Sequence, residues 1–434
     1  MSRGIAWRTC SAGALALVLS CASGGGSTAD SPTSAAPCDG LLQGKASMPV
    51  VARTLPAKGE YFTEPDFGSR MIRITDVAKD FGSRVAVPLY STMPAWNADE
   101  SLLLLYVTMP ERGHALFDGH TYRFVRMLDI APADVEQVYW DPKDPDVLWY
   151  LYDWEQSGQS LRQLIRYHVR AGRKEVVHRF ANCDRPYGDQ INGGGDPQYN
   201  SWDNKLWGLR CRRGYPLGDA FSFRLDTGRE SARVTMRDVT PVACPSGQCL
   251  WMPSEKASAL LDPDTLAVTR RLALDGGEHG DLGLDRTGED FFASSQYDGA
   301  NVGSVVVEFL RSGRILPLIS PRSGYPYPPS GTHISAVAFD APGWLAVSIV
   351  GRATGGLLDS EVLLADVNSG AVCRLGHHRS LGSDGPNGYW AEPHVTISPH
   401  ATRAVFASDW NGGAAVDTYV VETPAYVRAA QISR

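Results

Sequence analysis

Residues 389 to 408 read YWAEPHVTISPHATRAVFAS. An apolar run around Val395 and Ile397 gives way to a polar turn, Ser398 to Thr402, and then to a second run centred on Phe406. Proline lacks the amide a strand ladder needs, and Ser and Thr hydroxyls compete for nearby backbone groups. The order therefore predicts two antiparallel strands joined by a tight turn.

The same order recurs upstream as WNADESLLLLY (96–106), WDPKDPDVLWYLY (140–152), SWDNKLWGLRC (201–211), CPSGQCLWM (244–252), LDRTGEDFFAS (284–294) and FDAPGWLAVS (339–348). That makes seven copies at an average spacing of about 50 residues, the length of a four-stranded propeller blade. Most copies lead into two further strands around Gly, Asp, Asn or Pro, as in VVVEFLRSGRILPLIS and VLLADVNSGAVCRL. No long stretch keeps a helical period, so the reading is all-β: a seven-bladed β-propeller. The last copy ends with DTYVVET and then meets Pro424 and a short tail, one strand short. GSRMIRITDV (68–77) has the look of the missing strand. It is expected to pair with DTYVV and close the ring, since closure removes exposed strand edges.

Seven repeats use nearly the whole chain, giving one domain over residues 59–434, and 43% hydrophobic residues with eleven Trp supply its core. Residues 1–20 carry Arg3 and Arg8 ahead of AGALALVLS and read as an export signal. Val18-Leu19-Ser20-Cys21 resembles a bacterial lipobox, which would place the protein in the cell envelope on a lipid anchor at Cys21; secretion without a lipid is the rival. Residues 21–58, opening with ASGGGSTADSPTSAAP after Cys21, read as a flexible tether. The net charge of −7 becomes more negative once the two signal arginines are removed, which excludes nucleic acid as a partner, and a monomer is expected.

Export places the cysteines in an oxidising compartment. Without Cys10 and Cys21 six remain, an even number. Cys244 with Cys249 and Cys183 with Cys211 are the expected bridges, Cys38 with Cys373 following by elimination. A zinc site in CPSGQC is the rival for the first.

In a propeller, equivalent positions of successive copies converge on one axis. His279, His333 and His394 stand at nearly the same distance ahead of EDFFAS, WLAVS and RAVFAS, while the slot in earlier copies falls near Thr92, Gln137, Asp196 and Val239. Three imidazoles from blades five to seven are thus predicted to share one mouth of the ring, although each could instead only bond a neighbouring blade. Three neutral imidazoles suit a borderline divalent metal such as Mn, Zn or Fe, and Glu392 can add a hard oxygen. His377, His378, Arg379 and Tyr389 are expected near the same rim. A shared mononuclear site requires the imidazoles to lie within about 10 Å of one another.

HGDLGLDRTGEDFFAS, THISAVAFDAPGWLAVS and YWAEPHVTISPHATRAVFAS, with the DTYVVE strand, resemble the seven-bladed oligogalacturonate lyases. The resemblance covers the propeller as architecture and the last three blades as motif. It implies manganese bound by histidines of adjacent blades, with His333 and His394 as ligands and His279 as the base in β-elimination of a uronate. The family also uses a Gln and a second His in the motif leading to the last ligand, where this chain has Tyr389 and Glu392.

Such chemistry needs a base for the C5 proton, which imidazole provides, and stabilisation of the charge that develops on the uronate carboxylate. Arg379 is the expected clamp on that carboxylate. The expected partner is therefore an acidic oligosaccharide. The rivals are a non-catalytic envelope module that binds a glycan or protein, and a hydrolase drawing on Asp196, Asp281 and Asp298.

Overall fold

The computed structural model describes residues 36–432, apart from 111, 133–135, 153–162, 181–185, 188–196, 215–216, 238, 255–257, 277–278, 326–331 and 352–355. The expected signal segment, Cys21, Cys183 and Asp196 lie outside the described residues.

Seven antiparallel sheets follow one another along the chain as the blades of a β-propeller. Blade one runs from Val85–Val87 to Phe124–Met127, blade two from Val138–Trp140 to Arg173–Arg179, and blade three from Pro186–Tyr187 to Val234–Arg237. Blade four runs from Val242–Ala243 to Val268–Arg271, blade five from Gly280–Leu284 to Ile315–Ile319, and blade six from His333–Ser335 to Val372–His377. Blade seven joins Thr396–Ile397, Arg403–Ser408 and Asp417–Glu422 to Arg70–Arg73 and then Tyr61–Thr63 from the other end of the chain. Met71 there faces Val421, and Arg73 faces Tyr419. Arg73 also pairs with Asp417 at 2.7 Å across that contact.

Aspartates make the turns. Asp141 accepts the amides of Lys143 and Asp144, Asp262 those of Asp264 and Thr265, and Asp285 those of Thr287 and Glu289. Each short carboxylate satisfies the turn amides that the ladder leaves free. Between the turns the strands bury their apolar side chains, including Trp96, Trp140, Trp207 and Trp251. Polar bonds also cross the seams, such as Trp140 Nε1 to the Ala95 carbonyl and Asn97 Nδ2 to that of Pro145.

Two findings depart from expectation. Part of the segment expected to be a tether is fastened: besides the expected bridge of Cys38 to Cys373, Leu42 bridges Arg374, and Arg374 Nη1 donates to the carbonyls of Gly44 and Ala46. Of this fastening the sequence signals only the cysteine bridge. The C-terminal tail forms a helix, Pro424–Ile432, with the Thr423 hydroxyl accepting the Tyr426 amide. Thr followed by Pro is an N-terminal helix signature.

Cys244 is bonded to Cys249. That removes the zinc reading of CPSGQC, because a disulfide offers no thiolate.

Candidate metal centre

His279 immediately precedes Gly280–Leu284, His333 opens His333–Ser335, and His394 lies just before Thr396–Ile397. All three therefore stand at the same end of the innermost strands, and these strands touch from blade to blade. The rings of His279 and His333 are 4.5 Å apart and stacked, and those of His333 and His394 are 4.4 Å apart, edge to face. Gly280 lets the inner strand of blade five lie close to its neighbour beside His279, since a Cβ there would come within 2.6 Å of the Ala293 carbonyl oxygen.

Glu392 completes the group. Its Oε2 is 3.5 Å from His333 Nε2 and 3.8 Å from His394 Nε2, and one ligand atom from each of the three residues lies within 4.8 Å of the others. Ligands 2.0–2.2 Å from one ion sit roughly 3–3.5 Å from each other, so small movements would let all three share a cation. His394 has φ of 41°, a backbone state that costs energy in a non-glycine residue and that collects at functional positions. The Ser383 hydroxyl donates to Glu392 Oε1, which leaves Oε2 towards the imidazoles.

The donor set fits a divalent cation. Burial, with His279 nearby, pushes the His394 pKa down to about 3, so its ring is neutral and keeps a lone pair. His394 Nε2 is buried and has no hydrogen-bond partner among the described residues. A buried imidazole nitrogen without a partner is costly in an apo protein and is relieved by an ion. Two imidazoles and one carboxylate with further positions open suit Mn, Fe or Zn.

His279 stands beside this trio and is half-buried. Its Nδ1 is 3.0 Å from the Thr332 carbonyl oxygen, which can only accept. Nδ1 therefore carries the proton, and in the neutral ring Nε2 holds the lone pair.

Aromatic rings wall the group. Tyr90 lies 5.6 Å from His333 and 5.5 Å from His394, centroid to centroid. Tyr389 packs 4.5 Å from His394 and donates its hydroxyl to Glu136 at 2.7 Å, while Trp390 stacks on Tyr106 of blade one. Sequence reasoning missed Tyr90, Glu136 and Ser383. Tyr90 could have been found: it stands two residues before Thr92 in the histidine slot, as Glu392 stands two before His394.

Arg379 is placed elsewhere. It is buried, pairs with Glu64, and lies over the Trp410 ring at 5.2 Å. Burial pushes the Glu64 carboxyl up, but bonding to His377 and the Arg379 charge outweigh it and hold the pKa below the ordinary value. His377 and Arg379 line a separate cavity of about 450 Å³ with Met48, Arg53, Glu64 and Phe67. The buried charges of that cavity are already matched with one another. His378 is buried too, with Nε2 donating to the Ile349 carbonyl and Nδ1 accepting the Ser380 amide. Of the hydrolase carboxylates within the described residues, Asp281 is buried against backbone amides and Asp298 is exposed.

The ring and its end-on cluster define the chain as a seven-bladed propeller with a candidate metal centre on blades five to seven. Its fold is similar to that of an oligogalacturonate lyase solved in complex with manganese, at a TM-score of 0.60 and 14% identity over 85% of this chain and 99% of that one. It is also similar to an oligogalacturonate lyase from Vibrio parahaemolyticus, at 0.59 and 14% over 85% and 100%. No family model matches the sequence, and no curated protein matches it. At this identity the likeness is one of fold.

Proposed function

We propose that the protein is a metal-dependent lyase that cleaves an acidic oligosaccharide by β-elimination at a uronate. The observation that carries this reading is the convergence of one ligand atom each from His333, His394 and Glu392 within 4.8 Å, beside the stacked His279. A divalent ion, when bound, supplies Lewis-acid stabilisation of the charge that develops on the uronate carboxylate. His333, His394 and Glu392 hold it.

His279 Nε2 takes the C5 proton. The C5–H electron pair becomes the C4–C5 double bond, the C4–O4 bond breaks, and the leaving oxygen takes a proton from water. The Nδ1 bond to Thr332 keeps the ring in the required tautomer and orientation. Tyr389 lines the approach to His394 as a site residue and, tied to Glu136, screens the cluster from solvent. Arg379 has no part in the step, because Glu64 already holds its charge. The solved lyase with manganese supports that metal as the first to test.

The protein acts outside the cytoplasm as a monomer, exported by residues 1–20 and held to the envelope by a lipid on Cys21. Metal-loaded protein given acidic oligosaccharides is expected to generate absorbance near about 235 nm from an unsaturated uronate. Saturable glycan binding with no such absorbance would favour the non-catalytic module instead.

A further inference from the structure

Asp281 lies two residues beyond His279 on the innermost strand of blade five and is 1% exposed. Its Oδ2 accepts the amide of Ala336 in blade six at 2.6 Å, and its Oδ1 accepts the amide of Leu282 at 2.8 Å. A buried carboxyl group held by two amides is a costly way to join two strands, since burial disfavours its charged form and pushes its pKa well up. At the next seam a hydroxyl does the equivalent work: Ser335, two residues beyond His333, accepts the amide of Ile397 in blade seven at 3.2 Å. Both bonds lie just below the histidines. They fix the relative height of the inner strands on which His279, His333 and His394 stand.

We infer that Asp281 is a positioning residue for the candidate active site, locking blade five to blade six so that His279 stays stacked on His333 and bonded to Thr332. The inference rests on the proposed site but not on its chemistry. An imidazole set on one blade and steered by a carbonyl of the next holds its place only while the two inner strands keep register. A displacement of about 1 Å at a reacting group can cost on the order of 100-fold in rate. Asparagine cannot replace Asp281 fully: its carbonyl accepts one amide, and its NH₂ then faces the other as a second donor.

Asp290 provides the control. It is a buried carboxylate that likewise joins two blades, accepting the Ser246 amide at 2.8 Å and the Ser246 hydroxyl. It sits at the turn end of its strand, opposite the histidines.

The test compares wild type, Asp281→Ala, Asp281→Asn and Asp290→Ala, all labelled with ¹⁵N-histidine. Solvent exchange of the His279 Nδ1 proton, assigned with His279→Gln, is expected to accelerate at least tenfold in Asp281→Ala and less in Asp281→Asn. In Asp290→Ala it should stay within twofold of wild type. If Asp281→Ala does not fold, acceleration in Asp281→Asn alone supports the proposal. Unchanged exchange in the folded Asp281 variants, or equal acceleration in Asp290→Ala, overturns it. Where lyase activity is present, Asp281→Asn should lower kcat about tenfold with KM nearly unchanged. Altered exchange in a protein without lyase activity would leave the positioning role standing and remove the lyase reading.

Discussion

The imidazoles of His279 and His333 stack across the seam between blades five and six, with ring centroids 4.5 Å apart. Neither ring could hold this place from its own strand alone. His279 is steered by the Thr332 carbonyl of the next blade, and His333 is buried against Tyr90 and His394. One ring is a ligand in this account and the other a base, so they should respond differently to substitution.

His333→Ala is expected to weaken manganese binding by more than the roughly 10–100-fold typical of outer-shell changes, while the far-UV circular dichroism of the ring is retained. His279→Ala should leave metal affinity within a few-fold and abolish elimination. Titration calorimetry on metal-stripped protein separates the two. Loss of fold in both variants would mean that the histidines serve the blades and not an ion.

Ser383→Ala removes the hydroxyl that fixes Glu392 Oε1. Metal affinity should fall by about tenfold with little change in thermal stability, because Ser383 is exposed and its bond serves only the carboxylate. Unchanged affinity would show that Glu392 is held by packing alone.

Arg379→Met should destabilise the protein by about 3–5 kcal/mol, the cost of leaving Glu64 buried without its cation. Metal affinity should not change. Chemical denaturation and calorimetry test the two halves of this statement. A loss of substrate affinity at unchanged stability would restore the clamp expected from the sequence.

Burial pushes His378 down to about 4 from its ordinary 6.5. The unfolded chain therefore takes up this proton first as pH falls. The contribution is complete above about pH 6.5 and is lost progressively down to about pH 4, at up to about 1.4 kcal/mol per pH unit. His400 has the opposite sign, since its bond to Glu100 raises its pKa. The clean measurement is the difference between wild type and His378→Gln: the urea midpoint of the variant should fall less between pH 7 and pH 4.5. Parallel curves would contradict the assignment.

The blades were legible because each is written locally, as an Asp-rich or Pro-containing turn followed by an apolar run, at a period that only a ring of sheets explains. The histidine cluster was legible for the same reason: a repeat turns equal positions in sequence into neighbours in space. The fate of Arg379 was not, because its partner Glu64 comes from the opposite end of the chain and no local pattern links them. Beyond the expected Cys38–Cys373 bridge, the fastening of residues 38–48 on blade six was hidden likewise. It depends on Arg374 and His377 reaching backbone carbonyls, which composition does not record. Ser383 stands in a short 3-10 turn whose direction is set by packing of Gly382 on Val350 and Glu392.

We propose that His333 of blade six, with Glu392 and His394 of blade seven, holds one divalent ion beside His279 of blade five. Manganese titrated calorimetrically into the metal-stripped protein measures it most directly. One ion per chain is expected, with binding lost in the His333→Ala, His394→Ala double variant. No uptake, or uptake that the double variant retains, would contradict the account.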